Sequence, residues 1–388
     1  MKEFNFVFWN GIAFPKGYAM TKRRKYIVDH LNNKNITSAF IQTRSEIDIF
    51  DNPKSGTYGL AKYVNHSYLF YESFFGKIKF VIELFRYLNL FFDKNKLNIL
   101  IFTTVNLEDL PFYYYAKLKG YKIVFEIVEN NMAKGTRISM YGKASTRLSR
   151  KFYKSAFGIF VISTKLKELI NEIAPNTPVC ILPNSAPITA KSEKTNFSNP
   201  IRILYAGTFA AKDGVEFFVK GYIQFLKNAS VNTELILTGK GYKGDMDTIF
   251  KLIENCPNIK YQGFLSDEEL EEIILKSDIL TMTRCNSQFA NFGFPFKLSE
   301  YLASGNTVLA TKVGDVESYL DHKKNAYLIE PENIDDVEEA LNFLVSNEKE
   351  AIEIGRNGLK VVEEYFDVTK NGSLFVNFMK KCATNKKE

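Results

Sequence analysis

The feature that most constrains this chain is a regular alternation between residues 201 and 311. Five apolar runs occur there: IRILYAGTF (201–209), TELILTG (233–239), NIKYQG (258–263), DILTMT (278–283) and TVLAT (307–311). Between them lie segments with helical apolar spacing at 214–228, 247–256, 266–277 and within 292–305. The third of these, SDEELEEIILKS, opens with a Ser and a run of acids, a helix-start signal. Alternating strands and helices predict an α/β domain with a mainly parallel sheet.

The first half repeats the pattern less regularly. Strands are expected at FNFVFWNG near the start and at 36–42, 96–104, 122–129, 158–164 and 178–184, with helices at about 20–32 and 112–120. The chain therefore reads as two doubly wound domains, and ligands in such sheets bind beyond the carboxyl ends of the strands. A cleft between the domains is the expected site. The polar stretch PITAKSEKTNFSNP, bracketed by prolines, reads as a linker. The expected organisation is a domain over 1–186, a linker over 187–200, a second domain over 201–360, and a helix over 361–388 that crosses back to the first domain.

A length of 388 residues suits two such domains, and 45% hydrophobic with 24% charged residues is ordinary for a globular chain. Cys180, Cys256, Cys285 and Cys382 are far apart with no CxxC pair, which suggests neither a zinc site nor a disulfide framework. A reducing compartment is the default. The N-terminus lacks a signal-peptide pattern, and no window reaches about 18 uninterrupted apolar residues, so no spanning helix is expected.

Charge is uneven. Residues 1–199 hold 29 Lys and Arg against 15 Asp and Glu, whereas residues 200–388 hold 22 against 29. A basic first half points to an anionic partner. The basic residues do not fall in a recognised nucleic-acid module, so nucleic acid is not expected. KRRK (22–25) and the stretch 137–154 favour an anionic membrane surface, with a cytoplasmic, peripheral location on its inner face. The aromatic stretch 71–96 supports two readings: a sheet-covering buried helix, or an interfacial helix on a membrane.

Three attractive features read as structural. GKGYKG (239–244) matches G-x-G-x-x-G, but the next strand ends in Gln262-Gly263, without the acid a dinucleotide ribose needs. Asp245 and Asp247 form a D-x-D, yet both sit where a helix start favours acids, so no metal is expected there. His30, His66 and His322 are scattered, with no spacing for a triad or a metal.

FGFPFKLSEYLASGNTVLAT (292–311) holds the chemistry. Pro295 precedes a short helix and Gly305 ends it. Leu298, Tyr301 and Leu302 share one side; Lys297, Glu300 and Ser304 share the other. A solvated Lys297–Glu300 pair is one reading. The other is an anion site: a helix start after a Gly-rich aromatic loop presents free N–H groups, and Glu300 can accept ribose hydroxyls.

These residues resemble the signature of glycosyltransferase family 4, the retaining GT-B sugar-nucleotide transferases. LYAGTFAAKDGVEFFVKGY (204–222), ELILTGKGY, IKYQGFLSDEELEEIILKSDILTMT, CILPNSA (180–186) and NGIAFPKGYAMTKRRKYIVDHL (10–31) resemble its other segments, in order. The resemblance implies a GT-B fold, two Rossmann-like domains facing across a cleft. It implies metal-independent transfer with no cofactor, from a UDP- or GDP-sugar to a glycan or lipid-linked glycan of cell-surface polysaccharide. Lys212 and Glu300 become the catalytic candidates, as phosphate-binding lysine and ribose-binding glutamate. Gly11, Gly207, Thr208, Phe294, Pro295, Phe296, Lys297 and Leu298 complete the donor set, and Arg284, after the 278–283 strand, is added as a candidate source of the charge missing at Thr208. Glu126, Glu129 and Asn130 are the acceptor-side candidates.

The family often has a second Glu eight residues before Glu300, where this chain has Phe292. It often has an Arg after Gly207, where this chain has Thr208. The nucleotide end is thus better marked than the sugar end. A GT-B nucleotide-sugar epimerase and a catalytically silent glycan-binding relative are the alternatives.

Overall fold

The computed structural model describes residues 2–9, 13–43, 51–66, 73–130, 139–188 and 192–384. It divides into two units, Met1–Pro183 with Val368–Glu388, and Asn184–Asp367.

The first unit contains strands β1 (Phe4–Trp9), β2 (Thr37–Gln42), β3 (Ser55–Tyr58), β4 (Ala61–Asn65), β5 (Leu97–Phe102), β6 (Lys122–Ile127), β7 (Gly158–Val161) and β8 (Val179–Ile181). Its helices are α1 (Ala19–Asn33), α2 (Phe74–Leu90), α3 (Leu110–Lys119), α4 (Met140–Tyr153) and α5 (Thr164–Ile173). The sheet order is β3-β4-β2-β1-β5-β6-β7-β8, parallel except for β3 against β4. That hairpin is absent from the sequence reading.

All six residues of β1 are buried, as a central strand covered on both faces demands. On one face Phe8 stacks on Phe40 with centroids 4.7 Å apart, and Phe14 on Phe40 at 3.9 Å. On the other, Trp9 packs on Phe112 at 5.2 Å and donates its indole N–H to Asp109 at 2.9 Å.

The second unit contains β9 (Ile201–Thr208), β10 (Thr233–Lys240), β11 (Ile259–Tyr261), β12 (Ile279–Met282), β13 (Thr307–Thr311) and β14 (Tyr327–Ile329). Its helices are α6 (Val215–Leu226), α7 (Lys243–Ile253), α8 (Asp267–Lys276), α9 (Gln288–Phe292), α10 (Phe296–Ser304), α11 (Val316–Tyr319), α12 (Ile334–Ser346) and α13 (Glu348–Val361). The last helix, α14 (Val368–Thr384), belongs to the first unit and packs on α1.

The second sheet is ordered β11-β10-β9-β12-β13-β14, all parallel. The direction of winding reverses between β9 and β12, and a ligand crevice belongs beyond the carboxyl ends of those two strands.

Two departures from the sequence reading lie close to the strand ends of this sheet. α7 starts at Lys243 rather than 247, so the last Lys-Gly of GKGYKG lies inside it. The loop before Pro295 contains α9, capped by Ser287, whose hydroxyl accepts from the Ala290 N–H at 3.0 Å.

Candidate functional site

The site grows from the ends of β9 and β12. β9 finishes with Gly207 and Thr208. Gly207 has φ +150°, and a Cβ there would collide with the Lys297 ammonium. Its neighbour across the sheet, Gly239, has φ +130°, and a Cβ there would collide with the Gly207 carbonyl. Two strand ends thus meet backbone to backbone, which explains the first glycine of GKGYKG without a dinucleotide.

The segment after β9 is bound back onto the unit. Thr208 Oγ1 is hydrogen-bonded to the carboxylate of Asp213, which is buried. Tyr205 Oη donates to the Thr208 carbonyl at 2.5 Å. Thr283 Oγ1, just past β12, donates to the Asp213 carbonyl at 2.8 Å, and the Cys285 N–H donates to the Lys212 carbonyl at 2.9 Å. Gly214 (φ +66°) lies so close to the Thr283 carbonyl that no side chain fits. Lys212 is thereby held at the switch point, half-buried, with its ammonium 4.9 Å from the Phe289 ring centroid on α9.

α10 enters the same region. Pro295 caps it without any side-chain hydrogen bond, so its first N–H groups are not satisfied by a cap. Tyr301, fully buried, fixes its position. Its hydroxyl accepts from the Ala206 N–H at 3.0 Å and donates to the Ala206 carbonyl at 3.1 Å. Part of the Lys297 side chain reaches the surface, while its ammonium lies 4.1 Å from the Tyr205 ring centroid. Desolvation lowers its pKa to about 8; Arg284 and Lys212 push the same way, and Asp213 and Glu300 oppose them. Arg284 is half-buried, and its Nε has no hydrogen-bond partner among the described residues.

Lys212, Arg284, Lys297 and Glu300 are therefore brought together in one field, around Gly207 and the start of α10. Other donor candidates sit differently. Phe294 is buried against Tyr319 and Phe366, at 5.3 and 5.5 Å, and Leu298 is buried completely. Both can offer a ligand only their backbone. Pro295 is buried, and Phe296 is half-buried. Gly11 lies outside the described residues. The sequence reading missed Asp213, Tyr205 and the anchoring role of Tyr301. The one available signal was that a buried Tyr hydroxyl needs a partner.

The acceptor-side candidates are in the first unit. Glu126 is buried between two arginines of α1: it lies 2.8 Å from Arg23 Nε and 2.6 Å from Arg24 Nη2. Burial alone raises the carboxyl pKa, but Arg24 and Arg23 outweigh it and hold it below the ordinary range. Glu126 is thus spent on an internal ion cluster. This also corrects the reading of KRRK as a surface patch, because Arg23 and Arg24 are buried. Glu129 is exposed, and Asn130 is buried, accepting weakly from Arg150 Nη2 at 3.4 Å.

The three histidines lie apart in the fold, and His322 is exposed. His30 lies where Gly372 lets α14 cross α1, His66 is 3.2 Å from Glu83, and His322 Nδ1 accepts from the Leu328 N–H at 3.1 Å. Asp245 lies in the first turn of α7, with Asp247 after it. No described helix is long and apolar enough to cross a membrane.

With this geometry in place, comparison with known proteins is informative. Residues 187–361 match the family model of glycosyl transferases group 1. An uncharacterized glycosyltransferase of Methanocaldococcus jannaschii is 23% identical over 183 residues, covering 47% of this chain and 45% of that protein. A second from the same organism is 26% identical over 162 residues, covering 42% and 43%. The chain spans less than half the length of these curated relatives. Among solved structures, sucrose-phosphate synthase from Thermosynechococcus elongatus superposes with a TM-score of 0.77 at 12% identity, covering 98% of this chain and all of that one. Anabaena HepE, solved with UDP, gives 0.71 at 12% identity, covering 97% and all. The fold is GT-B.

Proposed function

We propose that the protein is a retaining, metal-independent glycosyltransferase of family 4 that moves a sugar from a UDP- or GDP-sugar to a glycan or lipid-linked glycan acceptor of cell-surface polysaccharide. The observation that carries this reading is the convergence of Lys212, Arg284 and Lys297 on the carboxyl end of β9 beside the uncapped start of α10. Such a cluster suits a diphosphate: N–H groups and cations aim at the oxygens where charge develops as the sugar leaves. Lys212 and Arg284 supply countercharge that a metal supplies elsewhere. In this reading Gly207 lets the backbone approach the phosphates, and Glu300, one turn into α10, accepts the ribose hydroxyls. The UDP complex of the similar HepE structure and the group 1 match support the donor class.

Lys212→Ala and Glu300→Ala test the reading. Each is expected to lower kcat/KM for nucleotide-sugar turnover by at least about 100-fold, a loss of roughly 3 kcal/mol of transition-state stabilisation. Transfer that survives both substitutions sinks the site assignment. Interconversion of the donor without any acceptor would replace transfer by epimerisation.

A further inference from the structure

The outer layer formed by α2, α3 and α4 is unlike the rest of the surface. Only Leu84 and Leu88 of α2 are buried, although the helix is apolar around most of its circumference. Phe74, Phe75 and Ile82 are 73%, 81% and 61% exposed. A helix of this composition is normally covered. Phe85 ties it to α3 through Phe112 at 4.7 Å, and Tyr113 of α3 meets Phe152 of α4 at 4.2 Å, so the three form one continuous face. Exposed Leu118 and Met140 extend the apolar surface onto α3 and α4.

The charge on this layer is one-sided. Together the three helices carry nine Lys and Arg and a single acid, Glu83. Glu83 is itself 3.2 Å from His66. Lys79 and Arg86 flank the Phe75–Ile82 stripe at helical spacing. Aromatic and aliphatic side chains with interspersed cations match a bilayer interface: the rings enter the headgroup boundary and the cations meet anionic lipid. A polypeptide partner would need a matching set of acids and an apolar surface at once, whereas an anionic bilayer supplies both without specific pairing. Helices that return between parallel strands start at the carboxyl edge of the sheet. Phe74 and Phe75 at the start of α2, and Met140 and Tyr141 at the start of α4, therefore lie at its ligand-binding edge.

We infer that the face made by α2, α3 and α4 docks onto an anionic lipid bilayer, so that an acceptor anchored in lipid is met at the carboxyl edge of the first sheet. The inference deepens the proposed function through the acceptor class, but the binding test needs no turnover. Purified protein is sedimented with vesicles of phosphatidylcholine alone and with vesicles in which roughly one lipid in three is phosphatidylglycerol, which gives the surface a negative potential. Wild type is expected to bind the anionic vesicles at least about tenfold better, and added salt is expected to weaken this. Phe75→Asp with Ile82→Asp, and separately Lys79→Glu with Arg86→Glu, are expected to release it. All four residues are exposed, so an unchanged melting curve accompanies the loss. Wild type left in the supernatant overturns the inference. So does binding that the Asp variant retains. Sedimentation equilibrium separates the other cover: a wild-type dimer split by the Asp substitutions makes this a self-association face and also overturns it.

Discussion

Lys297 is the residue whose chemistry is set most sharply by its neighbours. Desolvation against Tyr205, with Arg284 and Lys212 nearby, brings its pKa down to about 8. The sign of the stability effect follows. The unfolded chain holds this proton up to about pH 10.4, so between roughly pH 8 and 10.4 the unfolded state binds more protons. This group's contribution to stability therefore falls as pH drops through that window. Ligand binding acts the other way. A diphosphate beside the ammonium favours the charged form, so binding near pH 8.5 takes up a proton. Affinity for UDP is expected to fall several-fold between pH 7 and pH 9. Calorimetry in buffers of unequal ionisation enthalpy should find uptake of about half a proton or more in wild type, and almost none in Lys297→Met. Equal affinity at both pH values would remove Lys297 from the diphosphate site.

At the scale of elements, α10 is positioned by one hydroxyl. Tyr301 bonds both backbone groups of Ala206, so the helix start and the end of β9 keep a fixed register. Tyr301→Phe leaves that N–H and carbonyl short of partners in a dry environment. The expected cost is about 1–3 kcal/mol in thermal or denaturant unfolding. A rise in KM for the donor should accompany it, because Lys297 and Glu300 ride on the same helix. Loss of stability with an unchanged KM would limit Tyr301 to packing. The contrast between Glu300 and Tyr301 shows what was legible in sequence. The strand–helix alternation and the Gly stop at Gly305 are local patterns, so they were readable. The Tyr301–Ala206 bond spans 95 residues and the Arg23–Glu126 pair spans 103, so linear spacing could not pair them. KRRK was misread for that reason: a charge run looks solvated until its buried partner is known. Likewise, periodicity could not decide whether α2 is covered, because an interfacial helix and a buried one share the same apolar content.

At the scale of the whole chain, the first unit is not finished by the first 183 residues. α14 arrives after the second unit, yet its Phe375 lies in the core of the first, 5.1 Å from Phe6 on β1 and 4.8 Å from Phe160 on β7. Gly372 gives α14 room to pass directly over His30 of α1. The N-terminal sheet therefore depends on residues that follow the second unit in the chain, so its stability is non-local in sequence. Phe375→Ala removes a fully buried ring and is expected to cost about 3–5 kcal/mol. The loss should fall on the first unit. Hydrogen exchange would then accelerate in β1, β5 and β7 while the amides of β9, β12 and α10 stay protected. Because the donor candidates at 207–300 belong to the other unit than Phe375, UDP binding at a temperature below the first transition should change by less than about twofold. If exchange instead accelerates equally in both units, the chain unfolds as one cooperative body and α14 stabilises the donor unit as well.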